Sequence, residues 1–463
     1  MSSKNSKKIR VYFHIDEVAR DSVVASALKK TMAERFVDVV YGNRLSSAYI
    51  KDFKEFDLYI FPSIDLYAAF CKNPLEITSP VVILPSESVG GSVGNIARLA
   101  GKYLGTFPEK MVPWFESIAA FCVWGPSHLR VFEEMQPRLL GKAHVIGHPR
   151  FGRRCMKSRE TSTNSVAEGK NIVVGFISRF APINDFMGRG VFDTVFFGRK
   201  NYYADGGTPP IYSVEPDKDI EDVIYKEVLD LRLMFDLMVK LAKQGVKIQI
   251  RVHPRENRLT WVRILKEIAP DIKISAWDQP FQHWLSEVTH VVGPTSTSFY
   301  DCILSGLMPV CTNAIVQMRA EHLLGADDDD NPILDYVLMP KSIDEVMSLI
   351  VRTGKEPIDL SKQPELLRLL HVETNYPKSS DSIDNLAHVC YELLDRNKHH
   401  RTDKLSYRRF LIKGFAKTIF VLTGRLLYVA FPMAFMKKRF DSEQGSTFVL
   451  SASRKRWIDS LAS

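Results

Sequence analysis

Two rhythms of apolar positions alternate along the chain, short apolar runs and longer stretches of period 3.6, and together they predict a repeating order of strands and helices. From Ile9, "IRVYFHI" reads as a strand, "DSVVASALKKTMAERF" as a helix, and "VDVVYG", "FDLYIFP" and "PVVILPS" as further apolar strands. A helix is expected around 113–121, followed by the strand "AAFCVWG", the helix "SHLRVFEEMQPRLLG", and the strand and turn "AHVIGHPRF". Helical segments between most of the strands favour a parallel sheet with crossover helices. The first such unit is expected to span residues 1–153.

Residues 154–169, "RCMKSRETSTNSVAEG", have no apolar periodicity and read as a linker. A second series follows over 170–345, with strands at "KNIVVGFISRF", "VKIQIRVHP", "DIKISAW", "THVVGP" and "MPVCTN". Its longest helix, "DIEDVIYKEVLDLRLMFDLMVKLAKQG", ends at Gly245, which suits a left-handed C-terminal residue. Shorter helices are expected at "RLTWVRILKEIAP", "PFQHWLSEV" and "STSFYDCILSG". Residues 346–403 read as a helical closing segment. The expected fold is therefore α/β, two facing Rossmann-like doubly wound domains.

Two insertions interrupt the alternation. Residues 181–217 are rich in glycine and aromatics and too long for an ordinary connection, as in functional lids or disordered loops. "DDDD" at 327–330 lacks metal-ligand spacing and fits a solvated loop. The segment "SYRRFLIKGFAKTIFVLTGRLLYVAFPMAFMKKRF", residues 406–440, sets apolar and aromatic residues between basic clusters and is interrupted by Lys413, Lys417 and Arg425. A spanning helix wants about 20 uninterrupted apolar residues, so a basic amphipathic segment in the membrane interface fits better, over a tail of 404–463. The other arrangement open to it is a helix pair packed back on the core.

Composition narrows the function classes. A chain of 463 residues exceeds one hydrophobic core, and 62 Lys+Arg against 54 Asp+Glu give a net charge of +8. This mild basicity suits an anionic ligand or an acidic membrane surface and falls short of a dedicated nucleic-acid binder. The six cysteines have neither CxxC nor CxxH spacing, so no zinc site or disulfide framework is expected. "MSSKNSKKIRVYFHI" lacks the apolar core of a secretory signal, and the protein is expected not to be exported.

The candidate chemistry lies at strand ends. "KIQIRV" leads to His253 and Pro254, with Arg251, Arg255 and Arg258 nearby, and ligands of open α/β sheets bind beyond the carboxyl ends of strands. A histidine there also fits a packed core position, and the arginines a solvated face. "VVGPTSTSFYD" runs through Gly293 and Pro294 into Thr295, Ser296, Thr297 and Ser298 at an expected helix start. Free N–H groups and hydroxyls there suit an anion, although plain N-capping needs only one hydroxyl. Asp301, one turn further on, is placed to accept hydrogen bonds from a ribose. Read as neighbouring strand ends, one cationic and one hydroxyl-rich, the two stretches make a diphosphate or nucleotide pocket.

In the first unit, "ILPSESVGGSVGN" puts Glu87 after a buried strand, with Gly90 and Gly91 in the turn that follows. Such a carboxylate serves equally to deprotonate a hydroxyl across a cleft or to cap a helix. "GGSVG" lacks the spacing of a dinucleotide fingerprint. His148, Arg150 and Arg179 are expected to line the cleft.

The order "VWGPSHLRVFEE", "VIGHPRF", "IVVGFISRF", "IRVHPREN", "VVGPTSTSFYDCILSGLMPV" resembles the bacterial surface carbohydrate biosynthesis proteins, a family with the glycosyltransferase B fold. It is also similar to capsule enzymes such as bacterial sialyl-, polysialyl- and Kdo transferases, which share an HP motif and a Ser/Thr motif. The resemblance covers roughly residues 80–315. It implies that His253 and Pro254 contact the CMP moiety of a donor and that the Ser296–Ser298 region binds donor phosphate. It also implies that Glu87, within "SESVGG", is the general base, although Ser88 stands where the pattern has glycine.

The implied reaction is inverting transfer of a CMP-activated acidic sugar, a nonulosonate or Kdo, to a lipid-linked glycan acceptor, with no cofactor and no metal. The protein is then expected in the cytoplasm, peripheral on the inner membrane face through its basic tail. Three alternatives stay open: a CDP-alditol glycerol- or ribitol-phosphate transferase, a non-hydrolysing sugar-nucleotide epimerase, and a non-catalytic assembly protein of the same fold.

Overall fold

The computed structural model describes residues 9–16, 18–43, 56–71, 73–74, 77–86, 96–105, 108–152, 155, 172–185, 191, 218–276, 279–320, 331–352 and 358–396. Two wholly parallel sheets organise them. The first contains β1 (Ile9–His14), β2 (Val37–Gly42), β3 (Leu58–Phe61), β4 (Val81–Ile83), β5 (Ile118–Val123) and β6 (Ala143–Val145). Its order is β2-β1-β3-β4-β5-β6. The second contains β7 (Val173–Ile177), β8 (Lys247–Arg251), β9 (Lys273–Ile274), β10 (His290–Gly293) and β11 (Pro309–Cys311), in the order β11-β10-β7-β8-β9. Both sheets reverse direction of growth once, between β1 and β3 and between β7 and β10, and the crevice at such a switch point is where open α/β sheets bind ligands.

Burial on both faces explains the apolar runs, because the inner parallel strands are covered above and below, as the fully buried β3, β4 and β10 show. In β1, Val11 and Phe13 join the core that holds Leu28, Ile60 and Val82, while Tyr12 joins the opposite core with Phe61, Tyr67 and Phe70. The second sheet carries its own core, in which Val174, Phe176, Ile250 and Val292 meet Leu237, Leu241 and Trp261. The long helix Lys218–Lys243 supplies several of these side chains, and Gly245 beyond it has φ +74, the left-handed stop expected of it.

Several elements differ from their expected limits. The helix expected around 113–121 spans Pro108–Ser117 instead, because β5 claims the chain from Ile118 to pair with β4 and β6. The stretch expected as one helix after Ser127 breaks into Pro126–Leu129, Arg130–Met135 and Pro137–Lys142, the first and last of them 3₁₀ turns. Pro137 lacks the N–H needed to continue the helix and restricts Gln136 before it. "DIKISAW" contributes only the two-residue edge strand β9. The helix Ile96–Tyr103 has no counterpart in the sequence reading.

The closing segment returns to the first domain. The helix Ile343–Arg352, which straddles the boundary expected at 345, packs on the second core through Val346, Met347 and Ile350. The helix Ser382–Arg396 buries Ile383, Leu386, Ala387, Cys390 and Leu394 against the core of β1 and β3, a stripe at helical spacing. Each large apolar side chain so buried contributes about 2 kcal/mol. Between them, Leu366 and Leu370 of Pro364–Thr374 share a cluster with Trp124 and Phe151 of the first domain and Phe299, Tyr300 and Ile303 of the second. All six cysteines are buried, and none forms a disulfide. Among the described residues, no helix is long and apolar enough to cross a membrane. The linker 154–169 apart from Cys155, the carboxylate run at 327–330, the tail 404–463 and most of the 181–217 insertion lie outside the described residues.

Candidate functional site

The two stretches picked out in the second domain are not neighbouring strand ends: β7 runs between β8 and β10. The end of β7 therefore joins them. Ser178 accepts the backbone N–H of His253 on its Oγ at 2.9 Å, and Arg179 donates from Nη1 to the Thr295 carbonyl at 2.8 Å. Gly293 allows β10 this close to β7, since a Cβ there would sit 2.8 Å from the Ile177 carbonyl oxygen. His253 is half-buried, and its Nδ1 accepts the backbone N–H of Arg255 at 3.2 Å, so the neutral ring carries its proton on Nε2. Pro254 is half-buried beside it.

The arginines divide differently from the sequence reading. Arg251, expected to flank the pocket, is buried and donates from Nη1 to the Ala276 carbonyl at 3.2 Å, tying β8 to the chain beyond β9. Arg258, grouped with it at the cationic strand end, donates to the carbonyls of Ser275 and Ile274. Arg255 is exposed, as is Arg179. Among the described residues, the exposed cationic side chains on the loops after β7 and β8 are therefore Arg179 and Arg255.

The four hydroxyls also separate by role. Thr295 is buried: its N–H donates to Asn313 Oδ1 at 3.1 Å, and Asn313 Nδ2 donates to its Oγ1. Ser296 caps the turn, its Oγ accepting the Ser298 N–H at 3.1 Å. Thr297 and Ser298 are half-buried at the start of the helix Ser298–Leu304, which has only about two turns and hence a small dipole. Asp301, expected at a ribose, is 1% exposed. Its Oδ1 accepts from Gln282 Nε2 at 3.2 Å and its Oδ2 lies 3.7 Å from Arg150 Nη2 of the first domain. It is a fastener between domains.

The first domain presents a cleft at the β1/β3 switch point, about 360 Å³ with the open solvent at its mouth included, lined by Phe13, His14, Arg20, Ser86, His148 and Arg150 among others. His148 packs between Trp124 and Phe151, with ring centroids 3.5 Å and 4.2 Å away and the planes tilted. Burial, reinforced by the Arg150 guanidinium, holds its pKa well below the usual imidazole range, so it is neutral at pH 7. His14 closes the floor, with Nδ1 3.0 Å from Tyr12 Oη. Arg20 binds Asp21 at 2.7 Å and Asp16 at 3.4 Å, so its charge is balanced within the rim. Glu87, Gly90 and Gly91 lie outside the described residues; Ser86, the residue before Glu87, lines the cleft.

Behind the cleft, Tyr103 Oη lies 3.0 Å from His128 Nδ1, and His128 Nε2 lies 3.9 Å from Glu373 Oε2, with both members of the latter pair fully buried. Burial pushes the phenol of Tyr300 well up, and the neighbouring Glu373 adds to the effect. His14, Ser178, Glu256, Asn313 and Glu373 were all missed from sequence. Glu256 and Ser178 stood inside quoted motifs, but their roles depend on strands brought together only by the fold. Among the described residues, no group of three or more His, Cys, Asp and Glu could hold a metal ion.

No family model matches the sequence, and no curated protein matches it either. Solved structures do align. A variant of the wall teichoic acid polymerase TagF superposes with a TM-score of 0.52 at 9% identity, covering 85% of this chain and 90% of that one. A TagF variant soaked with CDPG for 30 minutes gives 0.51 at 9% identity, with the same coverage. The UDP-GlcNAc 2-epimerase of Methanocaldococcus jannaschii gives 0.39 at 10% identity over 82% of this chain and all of that one. The TagF likeness runs through both sheets, and with the two parallel, switch-pointed domains it establishes the architecture as that of the glycosyltransferase B fold.

Proposed function

We propose that the chain is a transferase of bacterial surface-glycan assembly that takes its group from a cytidine-nucleotide donor and delivers it to a membrane-linked glycan. The observation that carries this reading is the crevice at the β7/β10 switch, where Ser178 and Arg179 hold the His253 loop and the Thr295 loop together. A donor phosphate at Thr297 and Ser298 would meet two hydroxyls and, within the same crevice, Arg179. His253, with its proton on Nε2, is suited to donate a hydrogen bond to a departing phosphate. The acceptor hydroxyl would enter through the first-domain cleft, and Glu87, which follows Ser86 in sequence, would remove its proton. No metal ion or cofactor has a part in this scheme.

Two donors fit it. A CMP-activated acidic sugar follows from the HP and Ser/Thr motifs. A CDP-alditol, whose transfer moves an alditol phosphate, is favoured by the likeness to TagF, one of whose structures was soaked with CDPG. Both donors leave CMP, so calorimetric titration of CMP, CDP and UDP tests the cytidine assignment, and CMP release from a CMP-sugar or from a CDP-alditol names the donor class; preference for UDP supports the epimerase alternative and removes this proposal. His253→Ala should weaken the preferred cytidine nucleotide about tenfold or more with an unchanged unfolding midpoint, as loss of a hydrogen bond to a charged group does. Unchanged affinity would remove His253 from the donor site.

The tail is proposed to hold the enzyme on the cytoplasmic face of the membrane, where basic residues meet anionic lipid. Deleting residues 404–463 should move the protein from the membrane pellet to the supernatant. Sedimentation of the shortened chain with membranes would show that another surface binds them.

A further inference from the structure

Glu256 lies two residues beyond the His-Pro pair, is 1% exposed, and is surrounded by hydrogen-bond donors. Its Oε1 accepts the backbone N–H of Phe180 at 2.8 Å, and its Oε2 accepts Trp261 Nε1 at 2.7 Å. The side chains of Ser178 and Asn184 complete the ring. Its backbone is used as well, its N–H donating to the His253 carbonyl at 2.9 Å and its strand-like stretch bridging Asp185. A second set of bonds runs in parallel: Asn257 N–H donates to the Asn184 carbonyl at 2.8 Å, and Asn184 Nδ2 returns one to the Asn257 carbonyl at 3.2 Å.

A buried carboxylate is costly unless it is fully satisfied. Carried on the loop after β8, it receives donors from two other pieces of chain: the loop after β7 and the helix Arg258–Ile268. Simple packing would be served as well by an apolar side chain. What a carboxylate adds is a fixed relation between the loop carrying Arg179 and the loop carrying His253.

We propose that Glu256 is the positioning residue of the donor crevice, clamping the 178–185 and 253–257 loops in the one arrangement that presents His253 and Arg179 together. The role rests on the reading of these loops as a donor site, and Glu256 itself touches no substrate. Burial pushes its carboxyl up to about 7 from 4.5, against the pull of the hydrogen bonds from Phe180, Trp261, Ser178 and Asn184. The charged or titratable groups on the packed elements are Arg179 and Asp185 after β7, Arg251, His253 and Arg255 at the end of β8 and beyond it, and Arg258, Arg263, Lys266 and Glu267 of the helix. Because the folded value is raised, this group's contribution to stability is present below pH 4.5 and is lost as pH rises through about 7.

The test compares full-length wild type with Glu256→Gln and Trp261→Phe. Hydrogen exchange of the free proteins, nucleotide affinity, and the pH dependence of the unfolding midpoint are measured. Glu256→Gln sets an amide N–H₂ against a donor, so exchange should rise selectively in 178–185 and 253–257 and affinity for the preferred nucleotide should fall about tenfold. The Glu256→Gln curve of midpoint against pH should lack the wild-type decline toward pH 7. Trp261→Phe, which removes one donor and keeps the carboxylate, should show a smaller loss of affinity and retain the decline. Wild-type exchange in both loops, or selective loosening with unchanged affinity, overturns the proposal. If wild type binds no nucleotide at all, the donor-site reading falls, and the exchange data alone decide whether Glu256 holds His253 in place.

Discussion

Gly125→Ala should disable the docking of the C-terminal helices and lower stability by about 3 kcal/mol, the upper range for overpacking. A Cβ at this position would lie 2.1 Å from the Val372 carbonyl oxygen and 2.5 Å from the Glu373 carbonyl carbon. Both are backbone atoms of the helix Pro364–Thr374, so no rotamer change relieves the contact. Gly125 has φ −131, a conformation any residue adopts, so the effect is one of space alone. The same surface is held by Ser127 Oγ, which donates to the Val372 carbonyl at 3.0 Å. Displacing this helix also loosens Ser382–Arg396, which completes the first-domain core. Thermal unfolding followed by circular dichroism measures the loss, and limited proteolysis should cut the variant between residues 358 and 396. A wild-type midpoint and cleavage pattern would show that the helix does not bear on Gly125.

Asp301→Ala should cost about 3 kcal/mol, because it leaves Arg150 without its carboxylate partner in a site that excludes most water. Arg150 retains 15% of its side-chain exposure, which keeps the loss at the low end of that seen for buried pairs. The variant also removes the acceptor of Gln282 Nε2. Since the pair joins the two domains, calorimetric unfolding of Asp301→Ala should separate into two transitions more clearly than that of wild type. Arg150→Ala combined with Asp301→Ala should cost less than the two single changes added together. Full additivity would mean that the 3.7 Å approach carries no coupling.

The architecture was legible because parallel strands buried on both faces write themselves as apolar runs. "FDLYIFP" became β3 with all four strand residues buried, and Gly245 was readable as a helix stop from its chemistry alone. The order of strands was not legible, and that is why His253 and the Thr295–Ser298 stretch were taken as neighbours when β7 separates them. Arg251 and Asp301 looked available because sequence shows charge without showing its partner. Their partners, the Ala276 carbonyl and Arg150, lie 25 and 151 positions away by number. Glu256 was hidden by the more conspicuous His-Pro pair beside it. Its burial could not be read from a segment in which Arg255 is exposed and Glu256 is 1% exposed.

The central claim, group transfer from a cytidine-activated donor, is tested most directly by incubating the purified full-length protein with CMP-linked acidic sugars, CDP-alditols and UDP-sugars in the presence of membrane-linked glycan, and measuring released nucleotide. The account predicts release of CMP from one of the two cytidine classes, acceptor-dependent and lost in His253→Ala. Turnover of UDP-sugars alone, or none with any donor while the acceptor is present, would contradict it.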